Sequence, residues 1–322
     1  MTAAKQNTKK HRFLSAKIDR IMLPLSIFFL IILFIINASG VSAAIRKALS
    51  LCVNSIIPSV FPCMVLSRLL ISCGGAELIG RVFGKSLGKL FGISAPSVAS
   101  FLLGAICGFP VGAVTAASLY KSNQISKDEF ERLIGFTSLP SPAFVINAVG
   151  TSMLNNRNAG VFLFSLLILS SSIIGITVGK KKSSPSTSII VKISDNAPIS
   201  VNIVNAVTSS ASAITMICAY SVFFDSLSTL FNELLTLLPV LSALVSGFFE
   251  FSGGCAAAAS LGSRFALPIT ALILGWSGIG VHFQIMSVCG NISFKKYFLS
   301  VFLRGILCFT VSLAVNSLFF DI

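Results

Sequence analysis

Charge is what this chain lacks most. Charged residues make up 11% of its 322 residues while 54% are hydrophobic, against about 25% charged in ordinary soluble domains. That balance excludes a soluble globular protein and places the chain in a membrane. Histidine is scarcer still. The two that occur, His11 and His282, leave little for a metal site. No phosphate-loop lysine motif, GxSxG or HExxH is present, so no ATPase engine, serine hydrolase or zinc protease is legible. Only ten carboxylates occur, few of them in apolar segments, which counts against an intramembrane hydrolase. No enzymatic activity, cofactor or metal is therefore expected.

Other absences narrow the reading further. None of the eight cysteines forms a CxxC pair, and all sit among apolar or small residues, as expected of buried free thiols rather than disulfides or metal ligands. The net charge of +14 is spread over short loops, so it does not argue for nucleic acid. The tighter clusters, Lys5–Arg20 and Lys180–Lys182, read as cytoplasmic charge flanking the membrane and meeting anionic lipid. The apolar run at 21–38 is longer than a signal-peptide core, and further hydrophobic segments follow it.

What is present is organised around residues 104–120. Gly104, Gly108, Pro110 and Gly112 interrupt an apolar segment where a membrane helix should run on. Pro110 donates no backbone hydrogen bond and disfavours helix at Phe109. Broken helices at membrane depth are tolerated where they are buried in protein or line a cavity, which is where transporters place their sites. A second copy follows. Phe109–Ala113 aligns with Phe251–Cys255, and Ala116–Leu119 with Ala258–Leu261. Ser59–Phe61 pairs with Ser221–Phe223, while Phe144, Ile146 and Val149 pair with Phe283, Ile285 and Val288. Three matches in one order predict an internal duplication.

In chain order, a polar basic tail (1–20) precedes a first transmembrane helix (21–40). Pro58 and Pro62 divide the segment 48–73, predicting two half-helices or a re-entrant hairpin. Residues 74–94 set Leu78, Val82, Leu87, Leu90 and Phe91 opposite Arg81, Lys85 and Lys89, as an interfacial amphipathic helix would. Residues 95–120 read as a broken crossing. Ser126 and Glu129 have capping-box spacing, and predict a short helix starting there. The apolar piece 143–153 covers about 16 Å as a helix, short of a hydrocarbon core of about 30 Å, so 138–153 reads as re-entrant. Residues 158–178 span, 179–200 form a polar linker, and 201–224, 227–249 and 297–319 span again. Irregular stretches fall at Gly253–Gly254 and Trp276–Gly280. With both basic clusters cytoplasmic, the second repeat is inverted relative to the first, and the two broken helices meet near the midplane. In that scheme Lys295 and Lys296 fall inside, whereas Lys121, Lys127 and Arg132 fall outside.

The stretches CGFPVGA (107–113) and LYKSNQISKDEFERLIGF (119–136), with Pro140–Phe144, resemble the YlbJ family of sporulation integral membrane proteins. That family belongs to the Gate, or nucleoside-recognition, group, which is similar to the membrane gates of concentrative nucleoside carriers and ferrous-iron carriers. The resemblance covers about residues 40–310, and its second-half motifs correspond to Glu250–Gly254 and Ser277–Gln284. Cys107, Phe109 and Leu139 depart from the family pattern, where Ser, Tyr and Asn are expected. The resemblance implies an all-α polytopic protein of about 7–8 membrane segments, with Gate-type repeats at 41–178 and 201–322. It also implies a role in spore cortex formation from the mother-cell membrane, and a transport-like core.

Among candidate site residues, Glu250 stands out, because an intramembrane carboxylate is costly unless paired or solvated. Gln284 and His282 would share a face in an unwound segment. Asn54, Ser141 and Asn147 suit either a polar ligand or helix–helix hydrogen bonds. Gly108, Pro110, Gly112, Ser252, Gly253 and Gly254 are the broken-helix backbone. Asp225 and Glu233 are placed near a surface or loop, as weaker candidates. Expected partners are membrane lipid and a small polar solute moved by alternating access. The alternative is a non-transporting scaffold recruiting cortex-assembly proteins through 121–137 and 179–200; a homo-oligomer is compatible with either.

Overall fold

The computed structural model describes residues 21–178, 198–232, 235 and 237–316. The basic tail, most of the linker 179–200, Glu233 and the last residues of the second repeat lie outside this set. The described residues are helical and include no strand. Among them, four helices are long and apolar enough to cross a membrane, or up to six if each of two sharply bent pairs is one span. This is the all-α, multi-pass architecture expected from composition.

The chain starts with α1 (Ile21–Ile36), which turns by 89° into the next helix. From Ala38 the path stays helical to Ser72: α2 (Ala38–Leu51), a π-helical stretch Cys52–Ile56, and α3 (Ile57–Ser72). The expected split at Pro58 and Pro62 is therefore absent. Pro58 sits in the first turn of α3, where a missing N–H costs little, and the π stretch lies just before it. The amphipathic segment is bent 84° from α3. It comprises α4 (Gly75–Phe83), a π turn and α5 (Lys89–Phe91). Leu78, Val82 and Leu90 are exposed, while Phe91 is buried against Phe101 and Phe136.

The next element departs from the sequence reading. α6 (Ser97–Cys107) and α7 (Val111–Lys121) fold back on one another. A Cβ on Gly104 would lie 3.2 Å from the Gly112 Cα, a proximity that a continuous helix cannot give residues so far apart. Residues 97–121 are therefore a re-entrant hairpin, not a crossing. After it come α8 (Lys127–Thr137), the non-helical Ser138–Ser141, and the π-helical Ala143–Met153. α9 (Arg157–Val178) returns from there, with Gly160 packed on Gly150 and Gly175 against Phe136.

The second half repeats the plan. A long helix α10 (Ile199–Asn232) packs along α2 and α3. α11 (Pro239–Phe249) and α12 (Phe251–Ala259) form a second hairpin, closed where Gly254 meets Gly247. α13 (Ala266–Trp276) and α14 (Gly278–Cys289) form a broken span, and α15 (Lys295–Val315) follows. In each half the hairpin tip abuts the break of the next span. Phe109 N–H donates to the Leu139 carbonyl at 2.6 Å, and Gly278 lies against the backbone of Phe249–Phe251. Gly108 and Gly278 take φ of +82° and +77°, a conformation that side-chain-bearing residues rarely adopt.

Three contacts fix the hairpins' directions. Lys296 forms an ion pair with Asp128, and the Ser293 N–H donates to Glu131 at 3.1 Å. The loop leaving the first hairpin thus shares a face with the start of α15. At the far end of α15, about 31 Å away for its 21 residues, Asn316 donates to the Arg264 carbonyl at 2.7 Å. Arg264 follows the second hairpin directly. The hairpins therefore enter from opposite faces, and their tips meet as Phe109 packs edge-on against Phe251 at 5.1 Å. This inverted arrangement is as expected, but Lys121 and Lys127 lie on the Lys295–Lys296 face rather than the opposite one. A hairpin returns the chain to the face it left, which removes the crossing that had carried them across.

Candidate functional site

The second hairpin places Glu250 at its tip. Glu250 is extended (φ −137°, ψ 122°) and caps α12. Its Oε2 accepts from the Gly253 N–H at 2.7 Å and from the Ser252 hydroxyl at 2.5 Å. A carboxylate is favoured at a helix N-terminus, where free N–H groups point outward. The side chain is only 4% exposed.

A cavity of about 340 Å³ opens beside it, lined by Lys47, Ser50, Asn54, Ser221, Asp225, Glu250, Ser252 and Gly253, with Ala48, Leu51, Met153 and Ala256 as apolar neighbours. Glu250 and Ser252 are buried, whereas Lys47, Ser50 and Asn54 are exposed. Asn54 Nδ2 donates to the Ser50 hydroxyl at 3.0 Å. Asp225 sits within α10, near its end, and reaches the same place. A Cβ on Gly253 would lie 2.7 Å from Asp225 Oδ1 and 3.5 Å from Glu250 Oε2. Two carboxylates from separate elements thus converge on one glycine. Asp225 is a correction to the sequence reading, which put it near a surface or loop. An Asp near the end of a long apolar run suits either position, and the close approach of α12 to α10 decides it.

The other predicted residues separate. Glu250, Asn54, Ser252 and Gly253 line the cavity. Gly254 closes the second hairpin, and Gly108, Pro110 and Gly112 form the first. Ser141 is buried at the break after α8, where its hydroxyl accepts from the Phe144 N–H at 3.3 Å. Asn147 is exposed and does not line the cavity. His282 and Gln284 lie in regular helix, so two residues apart they point in different directions. His282 Nδ1 is 2.7 Å from the Tyr297 hydroxyl, and its ring packs against Trp276 and Phe298. Gln284 Nε2 donates to the Ile217 carbonyl at 3.5 Å. Neither lines the cavity.

Sequence reasoning passed over Lys47, Ser50 and Ser221. It also passed over Arg304, which is fully buried and donates to the Gly275 carbonyl at 3.0 Å and to the hydroxyls of Ser171 and Ser277 at 3.3 and 3.4 Å. Arg304 ties α15 to the α13–α14 break. An arginine inside an apolar span was the available signal. The 121–137 surface proposed for recruitment is largely closed, since Glu129–Thr137 are buried.

Comparison with known proteins adds one relative. The chain is 27% identical over 337 aligned positions, covering 90% of this chain and 81% of the other, to "Sporulation integral membrane protein YlbJ" of Bacillus subtilis (strain 168). The chain is thus similar to that protein over most of its length. That match and the apolar helices make it a multi-pass integral membrane protein, and they support a membrane role in sporulation. No family model matches the chain, and no solved structure matches it.

Proposed function

We propose that this protein carries a small polar solute across the mother-cell membrane during sporulation, by alternating access through a Gate-type core, in support of spore cortex formation. The observation behind this reading is the pair of hairpins entering from opposite faces, tip to tip at Phe109 and Phe251, beside a polar cavity holding Glu250 and Asp225. Half-helix ends and an intramembrane carboxylate at a repeat interface are the parts from which secondary transporters build their sites. Glu250 binds or couples, and the hairpin tips form the two gates.

Solute uptake by purified protein in liposomes tests this, with wild type beside Glu250→Gln and a panel of nucleosides, sugars, amino acids and divalent cations. The substituted amide retains an oxygen to cap α12 while losing the charge. The expected result is flux for at least one solute, reduced by about a hundredfold in the variant. No flux for any solute, with both proteins folded, would contradict transport.

A further inference from the structure

The cavity beside Glu250 lies on one side of the hairpin tips. Its lining runs from Glu250 and Gly253 to Ala256, on the returning arm α12, and to Met153, just before α9. Both lead toward the Arg264 face. α12 ends at Ala259, shortly before Arg264. α9 is about 33 Å long for its 22 residues, and its far end packs Gly175 on Phe136, beside Gly135 and Ser300 near the Lys295 face. Its first residue, Arg157, and Met153 therefore lie on the opposite side. Lys47 and Asn54 line the same space and are exposed, so it is open. The other side of the tips is filled. Phe251 stands between the lining residues Glu250 and Ser252 but does not line the cavity. Its ring meets Phe109 edge-on at 5.1 Å and Phe144 at 4.9 Å. Behind these rings α7 and α8 place Ala113, Ala116, Leu133 and Ile134, all fully buried. Three phenylalanines thus separate an open space from a packed core.

The packed side is also the basic side. Ser94 and Ser97 donate to Glu129 at 2.6 Å, next to the Asp128–Lys296 ion pair. That contact puts α4 and α5, with Arg81, Lys85 and Lys89, on the face that already holds Lys121, Lys127 and Lys295. Such an excess of lysine and arginine marks a cytoplasmic face. From these placements we infer that the structure is the conformer open away from the cytoplasm, and that Phe109, Phe144 and Phe251 form its closed cytoplasmic gate. Phe109 and Phe251 are equivalent positions of the two repeats, so each hairpin gives the gate the same ring. The position equivalent to Glu250 is Gly108; the second hairpin carries the carboxylate, and the first closes over it. Parting Phe109 from Phe251 opens the other side without unwinding either hairpin. A single ring pair adds little beyond the area it buries, so it can break and re-form in a cycle. The gate rests on the transport reading for its purpose, but closure is a matter of access and is tested as such.

The test is modification of the full-length protein, in oriented vesicles and a cysteine-free background, by a membrane-impermeant thiol reagent. Lys47→Cys and Asn54→Cys report the cavity. Both should react from the Arg264 face and neither from the Lys295 face. Adding Phe109→Ala should raise the rate at Asn54→Cys from the Lys295 face several-fold. Phe144→Leu keeps most of its bulk and should give a smaller rise, which keeps the test open if Phe109→Ala does not fold. The inference is overturned if the cavity cysteines react from the Lys295 face, or from neither face, while all three phenylalanines are present. It is equally overturned if the phenylalanine variants fold and leave the Lys295-side rate unchanged. Any of these results beside a solute flux that Glu250→Gln abolishes would leave transport standing and the gate fallen. The expected labelling without flux for any solute would do the reverse.

Discussion

Gly253 shows how much one missing methyl group allows. It lets Asp225 approach the α12 cap, because a Cβ there would meet Asp225 Oδ1 at 2.7 Å. Gly253→Ala should push the Asp225 carboxylate aside and lower solute uptake several-fold, with a melting temperature close to wild type; paired uptake and thermal-unfolding assays read both. Arg304 makes the opposite case, for stability. Arg304→Leu removes the donor to the Gly275 carbonyl and to two hydroxyls, which should cost about 1–3 kcal/mol and lower the melting temperature in detergent. Glu250 was legible from the sequence because a carboxylate beside paired glycines in an apolar run has few structural reasons to be there. Asp225 and Lys47 were not. Their meaning depends on α2 and α10 packing together, and local sequence does not carry that pairing.

At the scale of elements, glycine and proline marked most of the helix breaks: those at Gly108–Pro110, Ser138–Ser141, Glu250 and Ser277 fall within or beside the stretches they predicted, whereas Pro58 and Pro62 sit in unbroken helix. Which broken segment crosses was not legible. A hairpin of two short apolar helices and one broken span have the same length and hydropathy, and the antiparallel contact of Gly104 with Gly112 separates them. The capping box was legible by half. Ser126 accepts from the Glu129 N–H at 3.2 Å, but the Glu129 carboxylate accepts instead from Ser94 and Ser97, each at 2.6 Å. The hairpin closure gives an element-scale prediction. Gly112→Val would drive a side chain into the Thr137 carbonyl and overpack the first hairpin, at a cost of about 1–3 kcal/mol, seen as a lower melting temperature and lost uptake together.

For the whole molecule, the duplication gave the order of parts, and the polar contacts of α15 at its two ends give their directions. Asp128 pairs with Lys296 on one face, and Asn316 bonds Arg264 on the other. The central claim is that two hairpins enter from opposite sides and meet tip to tip. The most direct test is membrane-impermeant thiol labelling of single-cysteine variants in a cysteine-free background, in oriented vesicles. Lys121→Cys reports the first hairpin, Arg264→Cys the second, and Lys295→Cys the reference face. The account predicts that Lys121→Cys and Lys295→Cys label from one side and Arg264→Cys from the other. Labelling of Lys121→Cys and Arg264→Cys from the same side would contradict it.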